Sequence, residues 1–208
     1  GASRGIGYQL VSQYAAAGWD VHATTRGHEP RILAEIEGAV QIHQLDVRRD
    51  PQIQALARGL PKRGLGLVIH NAGINRGHTR DDLMEVNAAA PIRVVQALID
   101  ANRLVGNGRV VLMTSAMGSR RGKTGSLGDY GDSKAALNDE FRLRAPAWSL
   151  AGVVAIVMHP GWVRTDMGGS GATLSVEDSV TGMRRVIAGL STADHGRFYN
   201  WDGTEQPW

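Results

Sequence analysis

Two hydrophobic periods take turns along this sequence, and their alternation leaves few architectures open. Residues 153–158 (VVAIVM) are apolar without a break, the pattern of a strand covered on both faces. The flanking segments 129–150 and 175–190 have helical length, and the second sets Val176, Val180, Met183 and Ile187 on one face. Ile6, Leu10, Val11 and Tyr14 mark a helix over 6–17 that Gly18 closes. A strand over 20–25 and a helix over 30–37, with Pro30 in its first turn, come next. Then follow a strand over 40–45, a helix over 51–60, a strand over 65–70, a long helix over 81–103 and a strand over 109–114. The last strand is expected at 197–201.

Strands that alternate with helices of this length argue for βαβ units. The expected fold is α/β: a doubly wound, Rossmann-type three-layer sandwich with a mostly parallel central sheet. The 208 residues fit one domain over 1–208, with no repeat and no linker. A Gly-rich turn at Gly1 should follow a strand, so the first strand is expected to be missing from this chain.

Composition narrows the class further. The absence of Cys excludes disulfides and thiolate chemistry. No apolar run reaches the roughly 18 residues a membrane span needs. The net charge of +3 comes from 23 basic and 20 acidic residues, and the densest cationic cluster is only Arg120, Arg121 and Lys123. No basic stripe with interleaved aromatics is present, so neither nucleic acid nor membrane is expected as a partner. A cytoplasmic protein without a metal is the expectation, since the seven His residues show no ligating spacing.

In doubly wound sheets ligands lie beyond the carboxyl ends of the strands. Gly1-Ala2-Ser3-Arg4-Gly5-Ile6-Gly7 opens the first helix, where glycines let the backbone approach a pyrophosphate and the helix end supplies N–H groups. The alternative is a merely flexible start. After the second expected strand stands Thr24-Thr25-Arg26, with no acid to hold a ribose. Arg26 and Arg4 together suit the 2′-phosphate of NADP, against the alternative of two solvated arginines. Asp46-Val47 and Asn71-Ala72-Gly73 end the next two strands; the Asp can accept from an adenine amine, and the small residues leave room for a ribose. Tyr130 and Lys134 are four apart on a helix and so share a face, where the ammonium should pull the phenol pKa down from about 10 and prepare a general acid. Ser115 follows a strand; its hydroxyl can donate to a carbonyl, though Ser there is more often a turn former. Pro160-Gly161 makes a rigid turn after the apolar strand, with Thr165 beyond it.

In their order these residues resemble the short-chain dehydrogenase/reductase family. The turn GASRGIG resembles its cofactor glycine motif, and 70–73 resembles its NNAG element with His70 in place of the first Asn. Asn87, Ser115, Tyr130 and Lys134 match its catalytic tetrad. Pro160, Gly161, Val163 and Thr165 match the loop on the nicotinamide side. HPGWVRTDMGG from His159 and GRFYNWDGTEQPW from Gly196 look closest to the small C-factor-like carbonyl reductases.

The resemblance implies NADP(H), held by Gly1, Ser3, Arg4, Gly5, Ile6, Gly7, Arg26, Asp46, Val47, Asn71, Ala72, Gly73, Tyr130, Lys134, Pro160, Gly161, Val163 and Thr165. It implies reduction of a ketone or aldehyde, with Tyr130 as acid, Ser115 on the carbonyl oxygen, Lys134 on Tyr130 and the ribose, and Asn87 holding a water. Met117 and Trp162 are expected to line the substrate pocket. A nucleotide-sensing or signalling role on the same fold is the competing reading. A homodimer or homotetramer would be usual for the family, but Asp139, Glu140, Arg142 and Arg144 interrupt the apolar face of the Tyr130 helix and Pro146 should kink it.

Overall fold

The computed structural model describes residues 1–27, 31–121 and 128–208. Its strands are β1 (Val21–Thr25), β2 (Val40–Gln44), β3 (Leu65–His70), β4 (Leu104–Met113), β5 (Val153–His159) and β6 (Phe198–Asn200). The helices are α1 (Gly5–Ala16), α2 (Arg31–Ala34), α3 (Asp50–Gly59), α4 (Arg80–Met84), α5 (Ala90–Asp100), α6 (Gly128–Leu150) and α7 (Val176–Gly189). Pro30 lies outside the described residues, as does Lys123.

Every pairing between these strands is parallel, in a β1-β2 pair and a β3-β4-β5-β6 sheet. Between them, walled by β1 on one side and β3 on the other, runs an apolar cavity of about 200 Å3.

The two faces of β4 and β5 explain their sequence. Val110, Leu112, Val153, Ala155 and Val157 pack with Ile92 and Val95 of α5 and Leu137, Phe141 and Trp148 of α6. Their neighbours Val111, Met113, Val154, Ile156 and Met158 pack with Leu10 and Tyr14 of α1 and Val180, Met183 and Ile187 of α7. Helices therefore cover both faces, and an unbroken apolar strand is the consequence. Each of the Val, Leu, Ile, Met and Phe side chains removed from water contributes roughly 1.5–3 kcal/mol.

The expected single helix over 81–103 is divided. A π-helical turn, Glu85–Ala89, separates α4 from α5, and β4 begins at Leu104 rather than 109. Pro91 supplies the reason: it has no N–H to give the Asn87 carbonyl four residues back, so the ladder shifts and the Ala90 N–H reaches Glu85. Asn102, with φ 52°, ends the helical stretch.

Candidate active site

The site is assembled where the strands end. In the Gly-rich turn, Gly5 has φ +51° and touches the Thr165 methyl, which a Cβ would meet at 3.2 Å. A Cβ at Gly7 would overlap the Gly1 carbonyl, the atom that accepts 3.0 Å from Asn71 Nδ2. Only glycines allow α1 to start this close to the β3 end.

A cleft of about 720 Å3 runs past this turn. At one end stand Arg26, Asp46, Val47 and Arg48. Arg48 grips Asp46 with Nη2–Oδ2 at 2.8 Å and Nε–Oδ1 at 3.1 Å, and this pairing lowers the Asp46 pKa. The middle is walled by Gly1, Ser3, Arg4, Gly5 and Ile6 against Asn71, Ala72 and Gly73. Arg4 reaches across the mouth to Asp166 at 3.1 Å, with both side chains mostly exposed. Tyr130, Lys134, Pro160 and Thr165 wall the far end.

Of the remaining expected cofactor residues, Gly7 faces the apolar cavity between β1 and β3. Gly161 takes φ +86° under Leu174 and Trp201, and Val163 is buried and bridged to Leu174. All three shape the walls from behind. Met117 is half-buried after Ser115, and Trp162 is 58 % exposed with its indole N–H on the Gly168 carbonyl at 2.9 Å. Neither walls the cleft.

Ser115 and Tyr130 share a side-chain hydrogen bond. Burial raises the Tyr130 pKa to about 12, and the Ser115 contact opposes this only in part. The expected downward pull from Lys134 does not prevail. The ammonium lies 5.9 Å from the ring centroid and donates to the Met113 carbonyl at 2.9 Å. Burial in turn lowers Lys134 to about 8.

Asn87 is wholly buried, and both ends of its amide are taken. Oδ1 accepts from Ile74 N at 2.9 Å, while Nδ2 donates to Ile74 O at 2.9 Å and to Ser133 Oγ at 3.0 Å. Ser133 Oγ donates onward to the Tyr130 carbonyl at 2.7 Å. The side chain is thus a brace for the first turn of α6.

Sequence reasoning passed over Arg48, Ser133 and Arg164. Arg48 stands two residues after Asp46, a spacing with no helical signature. Ser133 is a polar residue with no part in an apolar spacing, yet it is fully buried. Arg164 walls the cleft and holds its rim by donating to the carbonyls of Ala172 at 3.4 Å and Thr173 at 2.8 Å.

The family profile described as short chain dehydrogenase matches residues 1–173. C-signal of Myxococcus xanthus is 46 % identical over 124 residues, 59 % of this chain and 75 % of that protein. The 1-hydroxy-2-glutathionyl-2-methyl-3-butene dehydrogenase of Rhodococcus is 30 % identical, covering 100 % of this chain and 97 % of that one. Among solved structures, the NADPH-bound carbonyl reductase from chicken fatty liver is 30 % identical with a TM-score of 0.86, over 100 % of this chain and 96 % of that one. On the glycine turn, the strand-end residues and these matches together, the chain belongs to the short-chain dehydrogenase family.

Proposed function

We propose that this protein is a single-domain, NADPH-dependent reductase of small ketones or aldehydes, acting in the cytoplasm. The observation that carries the reading is that Tyr130, hydrogen-bonded by Ser115, and Lys134 beside it wall the same cleft as Arg4 and Arg26. The residues fit a dinucleotide phosphate. The turn built on Gly1, Gly5 and Gly7 brings the start of α1, with its free first-turn N–H groups, close to the end of β3, and Arg4 and Arg26 wall the same cleft. When bound, the dinucleotide supplies the hydride that reduces the carbonyl carbon.

The chain's own residues manage the proton and the charge. Ser115 holds the carbonyl oxygen, and Tyr130 donates its proton as the alkoxide develops. A phenol with a pKa of about 12 stays protonated at neutral pH, which is the form an acid needs. It also makes the reverse reaction harder, since a base would need the phenolate. Lys134, mostly cationic at neutral pH, compensates the charge left on Tyr130 and holds a ribose hydroxyl. Asn87 and Ser133 keep the first turn of α6 in place.

NADPH oxidation with a panel of ketones, aldehydes and quinones tests the reading. Turnover should vanish in Tyr130→Phe while NADPH affinity stays within about twofold; near-native turnover in that variant would overturn it. The likeness to C-signal favours one further reading, a nucleotide-binding signalling protein with little turnover. No oxidation with any member of the panel, together with tight NADPH binding, would support that reading instead.

A further inference from the structure

Beyond the residues that reach the cleft, the segment after β6 makes an unexpected set of contacts with the turn that carries Ser115. Gln206 N donates to Phe198 O at 2.8 Å, and Glu205 bridges to Tyr199 in antiparallel sense, so the chain doubles back along β6. It then crosses to the α6 side. The Trp208 ring stacks on Phe141 with centroids 6.2 Å apart, tilts against Phe198 at 5.6 Å, and lies under the Arg142 guanidinium at 5.2 Å. From this anchor two hydrogen bonds reach the other segment. Ser119 Oγ donates to the Pro207 carbonyl at 2.6 Å, and Arg121 N donates to the Trp208 main-chain oxygen at 2.9 Å.

What these bonds hold is a short 3-10 turn, Ala116–Gly118, whose cap is Ser115 itself. Ser115 Oγ accepts from Met117 N at 3.2 Å, and Gly118 N donates to Ser115 O at 2.9 Å. The far side of the turn is pressed on α6. Gly118 O accepts from Asn138 Nδ2 at 3.1 Å, and a Cβ on Gly118 would lie 2.7 Å from the Lys134 carbonyl carbon. The turn is therefore clamped between α6 and residues 207–208, with the Ser115 hydroxyl at its head.

We propose that Trp208 is a positioning residue for the reaction: its anchored ring holds, through Pro207 and Ser119, the turn that orients the Ser115 hydroxyl toward Tyr130. The inference rests on the carbonyl-reductase reading for its kinetic consequence, but the tether can be seen without it. Small misplacements of a positioned group cost rate steeply, so loosening the turn should act on kcat.

The test compares Trp208→Ala, Trp208→Phe, Ser119→Ala and Ser115→Ala, well below their melting temperatures. Trp208→Ala should lower kcat for a carbonyl about tenfold, leave NADPH affinity within twofold, and speed hydrogen exchange at the Arg121 amide. Trp208→Phe should recover most of the loss. In a Ser115→Ala background the Trp208→Ala change should cost nothing further in kcat, because the group it acts through is gone. Ser119→Ala, which leaves the ring in place, carries the test if Trp208→Ala does not fold, and should lower kcat about threefold. Unchanged kcat and Arg121 exchange in these variants would overturn the proposal, as would losses that multiply fully with Ser115→Ala. If the parent protein reduces no carbonyl, the functional reading fails, while accelerated Arg121 exchange would still establish the tether.

Discussion

Lys134→Met is expected to destroy function and yet make the protein more stable at neutral pH. Burial lowers the Lys134 ammonium from its ordinary 10.5 to about 8. Holding that charge in place therefore costs the fold roughly 3 kcal/mol below pH 8, at about 1.4 kcal/mol per pH unit. Methionine removes the charge at similar length but leaves the Met113 carbonyl without its donor, a loss of about 1–3 kcal/mol. The net gain at pH 7 is about 1 kcal/mol, or about 2–4 °C in Tm for a domain of this size. The sign then turns with pH. Between 8 and 10.5 the native parent sheds its proton while the unfolded chain keeps it, so parent stability rises relative to the variant. By pH 10.5 the ammonium cost is gone, the Met113 bond remains, and the variant should be the less stable by about 2 kcal/mol. Thermal unfolding of both proteins at intervals from pH 7 to 10.5 reads this directly, because other titrating groups largely cancel in the difference. A variant already less stable at pH 7, by an amount constant to pH 10.5, would refute the reasoning. Turnover should meanwhile fall at least about a hundredfold.

Other outcomes follow from the same geometry. Gly118→Ala forces a methyl against the Lys134 main chain and should cost about 1–3 kcal/mol in urea unfolding, with turnover reduced alongside. Phe141→Ala empties a fully buried site beneath Trp208 and should cost about 3–5 kcal/mol by the same measurement. Arg26→Ala should weaken NADPH about tenfold and NADH hardly at all in fluorescence titrations, since only the 2′-phosphate needs the guanidinium. In the parent, carbonyl reduction should decline as pH rises through about 8, where Lys134 loses its proton, while Tyr130 stays protonated to about 12.

Periodicity made the layers legible in advance. The apolar run of β5 and the helical spacing of α7 are local patterns, and each needs a particular neighbour to cover it. The cleft was legible for a related reason: glycines and small residues at strand ends mark where backbone must be approached. The division of the helix after Arg80 was not foreseen, although Pro91 stood in plain view, because one missing N–H acts on a carbonyl four residues away.

Local sequence thus determined the elements, their order and the residues delivered to the strand ends, since these depend on spacing along one chain. Whether a charge wins over burial is decided by everything packed around it, and this is why Tyr130 titrates upward despite a lysine one turn away. Contacts between distant segments were equally beyond reach: Ser133 under Asn87, and Trp208 over Phe141, pair residues 46 and 67 positions apart. Only the folded chain brings such partners within bonding distance, because no pattern in either segment names the other.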